Sequence, residues 1–169
     1  MKNNVMETRV PSHSKIAEDL PGAYFYDCYQ MPFDHTELSA MQIYMDTFAR
    51  TPAWVNALMG VRNRVVGLFG LKNLGGMKAL NKNKPAEAYQ VGDRAGIFSL
   101  VYKSDEEVIF CDSDKHLDVK VSVSKQIRDG QPSIAVTTIV HVHNNLGRAY
   151  MLFVGPAHKV IAPAVLSRA

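Results

Sequence analysis

The sequence predicts an α+β domain in which one curved antiparallel sheet is closed over by a long C-terminal helix, and three observations carry that expectation. From Glu87 to Asn144 short alternating segments follow one another through links too brief for crossover helices, so the strands must run antiparallel. From Leu146 to Leu166 apolar residues recur at spacings of three and four, the period of one helix face. Between a first strand pattern and that ladder lie two consecutive helical patterns, an order that narrows the fold.

Met1 to Leu20 is polar and unpatterned, and reads as a mobile or surface-hugging lead-in to a single domain spanning 21–169. Tyr24 to Met31 forms the first strand, set off by Pro21-Gly22 before it and Pro32 after it. Asp34 followed by Glu37 has capping-box spacing, and Leu38, Met41, Met45 and Phe48 supply the apolar face of a first helix ending near Arg50. Thr51-Pro52 restarts the chain as a second helix that carries Trp54, Leu58, Val61, Val65, Leu68 and Phe69 inward and stops at Gly70. Leu71 to Pro85, with Gly75-Gly76, three asparagines and four lysines, is loop chemistry; it lacks the spacing of a phosphate-binding loop and reads as solvated. Five strands follow, Glu87 to Val91, Ile97 to Lys103, Glu107 to Cys111, Leu117 to Ile127 and Ser133 to Asn144, for a sheet of about six.

The closing helix has Asn144 and Asn145 as capping candidates and an apolar stripe through Tyr150, Phe153, Val154, Ala157 and Ile161. Pro156 inside it removes one hydrogen bond and crowds the carbonyl four residues back, so a kink or a second start is expected there. The alternative makes Arg148 to Val154 a further strand and Pro156 the first residue of a shorter helix. The stripe crosses Pro156 without losing phase, which favours the helix.

The 169 residues are 47% hydrophobic, enough for one domain with a core. A net charge of +3 from 19 basic and 16 acidic residues is too balanced for a nucleic-acid partner. Cys28 and Cys111 have neither metal nor redox spacing and read as packed thiols of a reducing compartment. With no signal-peptide pattern and no run of 18 apolar residues, a cytoplasmic protein without a membrane span is expected.

Several stretches resemble an uncharacterised bacterial family, domain of unknown function 2867. They are Thr51-Pro52-Ala53-Trp54-Val55, Val61-Arg62-Asn63 leading to Phe69-Gly70-Leu71, Asp114-Lys115-His116-Leu117-Asp118, and Leu146-Gly147-Arg148-Ala149-Tyr150 with Pro156-Ala157-His158. The resemblance spans nearly the whole chain. Ala157 stands where that pattern leads one to expect phenylalanine, which makes any shared pocket roomier or absent at that point. The element order in turn resembles the helix-grip fold of the START, polyketide cyclase and birch-pollen-allergen (SRPBCC) superfamily. What the resemblance implies is that fold and a tendency to hold apolar ligands; it implies no reaction.

In such an arrangement the concave sheet face and the last helix bound a cavity, and strand alternation selects what faces it. Val119 and Val121 on one strand, Thr138 and Val140 on the next, Trp54 and Leu58 from the second helix, and Tyr150 and Phe153 from the last are the candidate ligand-binding residues. Arg148 and His158 complete the set, although ten helical residues, about 1,000° of rotation, leave them about 80° apart. No nucleophile–base order, nucleotide-binding loop or zinc-ligand pair is present, so no cofactor and no metal are expected. Asp112, Asp114 and Asp118 lack the glycine and closing glutamate of a calcium loop and read as a solvated turn. The first expectation is therefore a non-catalytic protein that binds or transports a small apolar molecule such as a lipid, polyketide or aromatic. A second is a cyclase- or dehydratase-like enzyme in which His158 moves a proton, aided by Arg148 or Tyr150. A third is a homodimeric interaction module, because Ala135, Thr137 and Ile139 leave the outer sheet face less polar than exposure requires.

Asp129-Gly130 fits a two-residue type I′ turn, which makes Arg128 the partner of Gln131 and fixes the later pairs. Asp118 then stands opposite His141, and His116 opposite His143, on the convex face outside the cavity. A structural Asp118–His141 pair is the expectation there, in preference to an ion site.

Overall fold

The computed structural model describes residues 4–67 and 84–169. Its sheet has seven strands, all paired antiparallel. They are β1 (Met6–Glu7), β2 (Phe25–Pro32), β3 (Arg94–Ala95), β4 (Phe98–Lys103), β5 (Glu107–Ser113), β6 (Leu117–Arg128) and β7 (Gln131–Val142). The order across the sheet is β1-β2-β7-β6-β5-β4-β3, so the first long strand lies beside the last. Three α-helices accompany it among the described residues: α1 (Ala40–Ala49), α2 (Ala53–Gly67) and α3 (Asn145–Leu166). Leu68, Phe69, Gly70 and the Gly75-Gly76 loop lie outside the described residues, as does the side chain of Val65.

The β6–β7 hairpin adopts the register that its turn dictates. Asp129 and Gly130 have φ of 52° and 76°, the two positive values a type I′ turn needs. Arg128 pairs with Gln131 and the ladder continues without slip to Leu117 and Val142, placing Asp118 opposite His141. Along these twelve-residue strands Val121 and Val123 meet Thr138 and Val136 on one face, while Ser122 and Ser124 meet Thr137 and Ala135 on the other.

The strand count differs from expectation at three places. Glu87 to Val91 is not a strand: Ala86–Ala88 is a 3-10 turn, and the Lys103 ammonium donates to the carbonyls of Ala86 (3.0 Å), Glu87 (3.1 Å) and Tyr89 (2.8 Å). The Ala88 and Tyr89 amides donate back to the Pro85 (3.1 Å) and Ala86 (3.3 Å) carbonyls, so they are spent on the turn and not on a strand ladder. The short strands β1 and β3 then flank the sheet, and neither two-residue segment carries a readable alternation.

The inner face splits into two regions. Under α1, Tyr44 stacks on Phe110 with ring centroids 3.8 Å apart, and its hydroxyl donates to the Ala95 carbonyl at 3.0 Å. Met41, Leu100, Val108, Ile134 and Leu166 close that region, all at most 1% exposed, and such burial raises the Tyr44 phenol far above its ordinary range. The cap of α1 is Ser39, whose hydroxyl accepts from the Gln42 amide, in place of the expected Asp34–Glu37 box. Under α3, the smaller cluster of Leu117, Val140 and Met151 leaves open space beside it.

The N-terminal segment is pinned on the outer face. A 3-10 turn, Lys15–Asp19, puts the fully buried Ile16 against Ile109 and Ile139. Beside it the buried Glu107 carboxylate accepts from Ser14 Oγ (2.6 Å), Lys15 N (2.7 Å), Ile16 N (3.3 Å) and Ser122 Oγ (2.6 Å). Ala135, Thr137 and Ile139 are wholly buried within the chain itself, which accounts for their low polarity without a second subunit.

Helix α3 runs as one element through Pro156 and Pro163, and Asn144 caps it by accepting from the Gly147 amide. Its packed ridge is Gly147, Met151 and Gly155, one turn apart each, followed by Val165 and Leu166. The expected stripe is therefore rotated: Phe153, 79% exposed, and Ala157, also exposed, lie off the packed face. By length and composition alone α3 is apolar enough to cross a bilayer. In α2 Val55 is buried, while Trp54, Leu58 and Val61, expected inward, are 43–59% exposed.

Candidate functional site

A cavity of about 470 Å³ lies between the inner sheet face, α2 and α3. Its floor is Val119 and Val121 of β6 with Val136, Thr138 and Val140 of β7, the residues that strand alternation turns to that side. Phe25 of β2 and Ile97 close two edges, Val55, Leu58, Met59 and Val61 come from α2, and Tyr150, Phe153, Val154 and Ile161 from α3. Leu58, Val61 and Phe153 both line the space and are exposed, so they stand at its mouth.

Of the ten candidate residues, Leu58, Val119, Val121, Thr138, Val140, Tyr150, Phe153 and His158 come together around this space. Trp54 and Arg148 do not. Trp54 lies one helical turn before Leu58 on the exposed side of α2, and Arg148 is exposed in the first turn of α3.

Two carboxylates and a guanidinium were not among those ten. Asp112 is 9% exposed and lines the cavity, in phase with the inner-facing Val108 and Phe110 of β5, which corrects its placement in a solvated turn. Asp114 does form the turn, its carboxylate accepting from the His116 (2.7 Å) and Leu117 (3.1 Å) amides, and it borders the same space. Arg62 of α2 donates through Nε to the Tyr150 hydroxyl at 3.0 Å and lies over that ring, its guanidinium carbon 5.5 Å from the centroid. This polar end of the cavity is about 12 Å along α3 from His158, eight residues at 1.5 Å each.

His158 marks the other end. Its Nδ1 is 2.8 Å from Asp27 Oδ2, and its ring meets Phe25 edge-on at 5.9 Å. The Asp27 side chain is 1% exposed, and its Oδ1 is buried without a hydrogen-bond partner among the described residues. Asp27 occupies β2 between Phe25 and Tyr29 on the inward phase and stands directly across from Thr138. The signal for it was legible: an acidic residue in register with apolar positions of a strand.

The histidine–aspartate cluster lies on the other side of the sheet. Asp118 stands across from His141 as expected, yet its carboxylate pairs with His143 Nε2 at 3.0 Å and accepts from the Ser113 hydroxyl. His141 Nε2 instead meets the Asp19 carbonyl at 2.9 Å, because the N-terminal segment covers that stretch of strand. The expected Asp118–His141 side-chain pair is thus replaced by its diagonal neighbour. Partial burial pushes the Asp118 carboxyl up, but the Ser113 hydroxyl and His143 together outweigh it and hold the group below its ordinary range. His116 is tied through Nδ1 to Asn144, the α3 cap, at 2.9 Å. Among the described residues no group of three His, Cys, Asp or Glu side chains is arranged to hold a metal ion.

No curated protein and no solved structure matches the chain. A family model described as a protein of unknown function, DUF2867, matches residues 20–165, a span that takes in α1, α2, nearly all of α3 and every strand except β1. The chain belongs to the DUF2867 family.

Proposed function

We propose that this protein binds and carries a small apolar molecule in the cavity between the sheet and α3. The observation that supports this reading is the cavity itself. Its 470 Å³ falls within the ordinary range for small-molecule sites, roughly 300–1,000 Å³, and valine, leucine, isoleucine, methionine and phenylalanine make most of its wall. A helix-grip architecture is the fold reading that agrees with it: β2 pairs with β7, two helices follow β2, and one long helix crosses the inner face. The unpaired thiols of Cys28 and Cys111 support a reducing, cytoplasmic setting.

Native mass spectrometry of protein taken from its own host, together with a thermal-shift screen of lipids, polyketides and aromatic compounds, tests the reading. The expected result is a copurifying apolar mass or a concentration-dependent rise in melting temperature. Absence of both across the screen would remove it. A second reading, an enzyme of cyclase or dehydratase type, is supported by one observation: the imidazole on the cavity wall is backed by a buried carboxylate.

A further inference from the structure

We infer that Asp27 and His158 form the polar anchor of the cavity, and that its ligand is an apolar molecule bearing one phenolic or enolic hydroxyl. The inference rests on the apolar-cavity reading and adds to it the chemistry at one end.

Asp27 is the starting point. A carboxylate with a 1% exposed side chain is tolerated only where something compensates it, yet among the described residues one of its oxygens has no partner and the other meets only the His158 ring. The imidazole Nδ1 is therefore the one hydrogen-bond partner of that carboxylate among the described residues, and the pair is held in place by the edge-on contact with Phe25 and the packing of α3 on β2. With Nδ1 committed to Asp27, Nε2 is the nitrogen left for a ligand, and His158 lines the cavity. Nε2 makes no hydrogen bond within the described residues.

The surroundings decide what that nitrogen can take. Around His158 the wall is Phe25, Val154, Ala157, Ile161 and Val140, and among the described residues the Thr138 hydroxyl, on the residue paired with Asp27, is the other polar group on that part of the lining. A ligand with several polar groups would leave most of them unpaired against that wall. One acidic hydroxyl is matched. Its hydrogen bonds to Nε2, and on transfer the O–H bond breaks, its electron pair stays on the ligand oxygen, and the proton joins the Nε2 lone pair. The resulting imidazolium lies between the ligand oxyanion and the Asp27 carboxylate. A methyl ether or a plain hydrocarbon has no such proton to share, so the dyad discriminates among molecules of equal apolar bulk.

The test titrates wild-type protein with naphthalene, 2-methoxynaphthalene and 2-naphthol by calorimetry, and follows the His158 ring nitrogens by ¹⁵N NMR. All three are expected to bind, with 2-naphthol held about tenfold or more tighter than its methyl ether, as a hydrogen bond to a charged or charge-backed group supplies. Only 2-naphthol should move the Nε2 resonance. His158→Phe is expected to erase the preference while still binding naphthalene, and Asp27→Asn to reduce it. If either variant fails to fold, the wild-type affinity ratio and Nε2 resonance decide alone. Equal affinity for 2-naphthol and its ether in the wild type, an unmoved Nε2, or a preference that survives in a folded His158→Phe protein overturns the anchor. Naphthalene and its ether binding without that preference would leave the apolar cavity standing, whereas binding of none of the three would overturn the cavity reading and this inference with it.

Discussion

Replacing Gly147 with alanine should unseat the first turn of α3, and the geometry sets how severely. A Cβ built there would lie 2.4 Å from the His116 carbonyl oxygen and 2.9 Å from Val142 Cγ1, where real Cβ contacts essentially never fall below 3.0 Å. The helix must therefore retreat by at least 3.0 − 2.4 = 0.6 Å from a backbone atom. That atom cannot swing away, because the His116 carbonyl also accepts the His143 amide at 2.8 Å. Overpacking of this kind destabilises by about 1–3 kcal/mol, against which the better helix propensity of alanine returns at most about 1 kcal/mol. A net loss of ~1 kcal/mol lowers the melting temperature of a domain this size by roughly 2–4 °C. Gly155 is the internal control. There the added Cβ would meet Phe25 at 3.6 Å, an ordinary contact, so Gly155→Ala should be neutral or stabilising by up to about 1 kcal/mol. Differential scanning calorimetry of both variants measures the contrast. A Gly147→Ala protein melting within about 1 °C of wild type, or a Gly155→Ala protein less stable than it, would refute the assignment of Gly147 as the point of closest approach.

Four further outcomes are expected. Glu107→Ala leaves two buried hydroxyls and two amides without their acceptor, so urea denaturation should show a loss of about 3 kcal/mol or more, and trypsin should cut at Lys15 faster than in wild type. Burial pushes the Cys28 thiol up to about 11, so in the folded protein Ellman's reagent at pH 8 should modify Cys111 and spare Cys28 until denaturant is added. Because that folded value lies above the ordinary thiol range, the associated stability is complete below about pH 9 and is lost as pH rises towards 11; Cys28→Ala should flatten this alkaline decline in a melting-temperature series. Gly130→Ala puts a Cβ on a residue at φ 76° and should lower stability by about 1 kcal/mol without moving the strand register, as amide exchange along β6 and β7 would report.

The parts of the molecule governed by strict local rules could be read from the sequence, and the β6–β7 hairpin is the clearest. A period of two and a turn that admits one geometry together fix twelve pairs, so the cavity floor of Val119, Val121, Thr138 and Val140 followed from residue order alone. Helix faces were read less well, for a physical reason. The α3 stripe follows apolar residues at spacings of three and four, Ala157 among them, whereas the helix meets the sheet through Gly147 and Gly155, where the absence of a side chain permits contact. Large residues such as Leu152 and Phe153 were left outside. The role of the N-terminal segment had no periodic signal, since a single isoleucine and a serine in a polar stretch do the packing and the bonding. Asp27 and Asp112 were legible in principle, as acidic residues on the apolar phase of their strands, but that phase becomes meaningful only once the neighbouring strand is known.

The pairing of β2 with β7 has a consequence for how the chain reaches its fold. The β6–β7 hairpin closes through a two-residue turn and can form on its own timescale, whereas Phe25 and Val140 must find each other across more than a hundred residues. During synthesis β2 therefore emerges long before its partner and waits with one edge unpaired while α1, α2 and the other strands are made. The Asp27–His158 contact completes later still, after α3 has followed β7. In a nascent chain the carboxylate of Asp27 is thus free to stay hydrated until almost everything else has docked, and its dehydration belongs to the last stage of assembly.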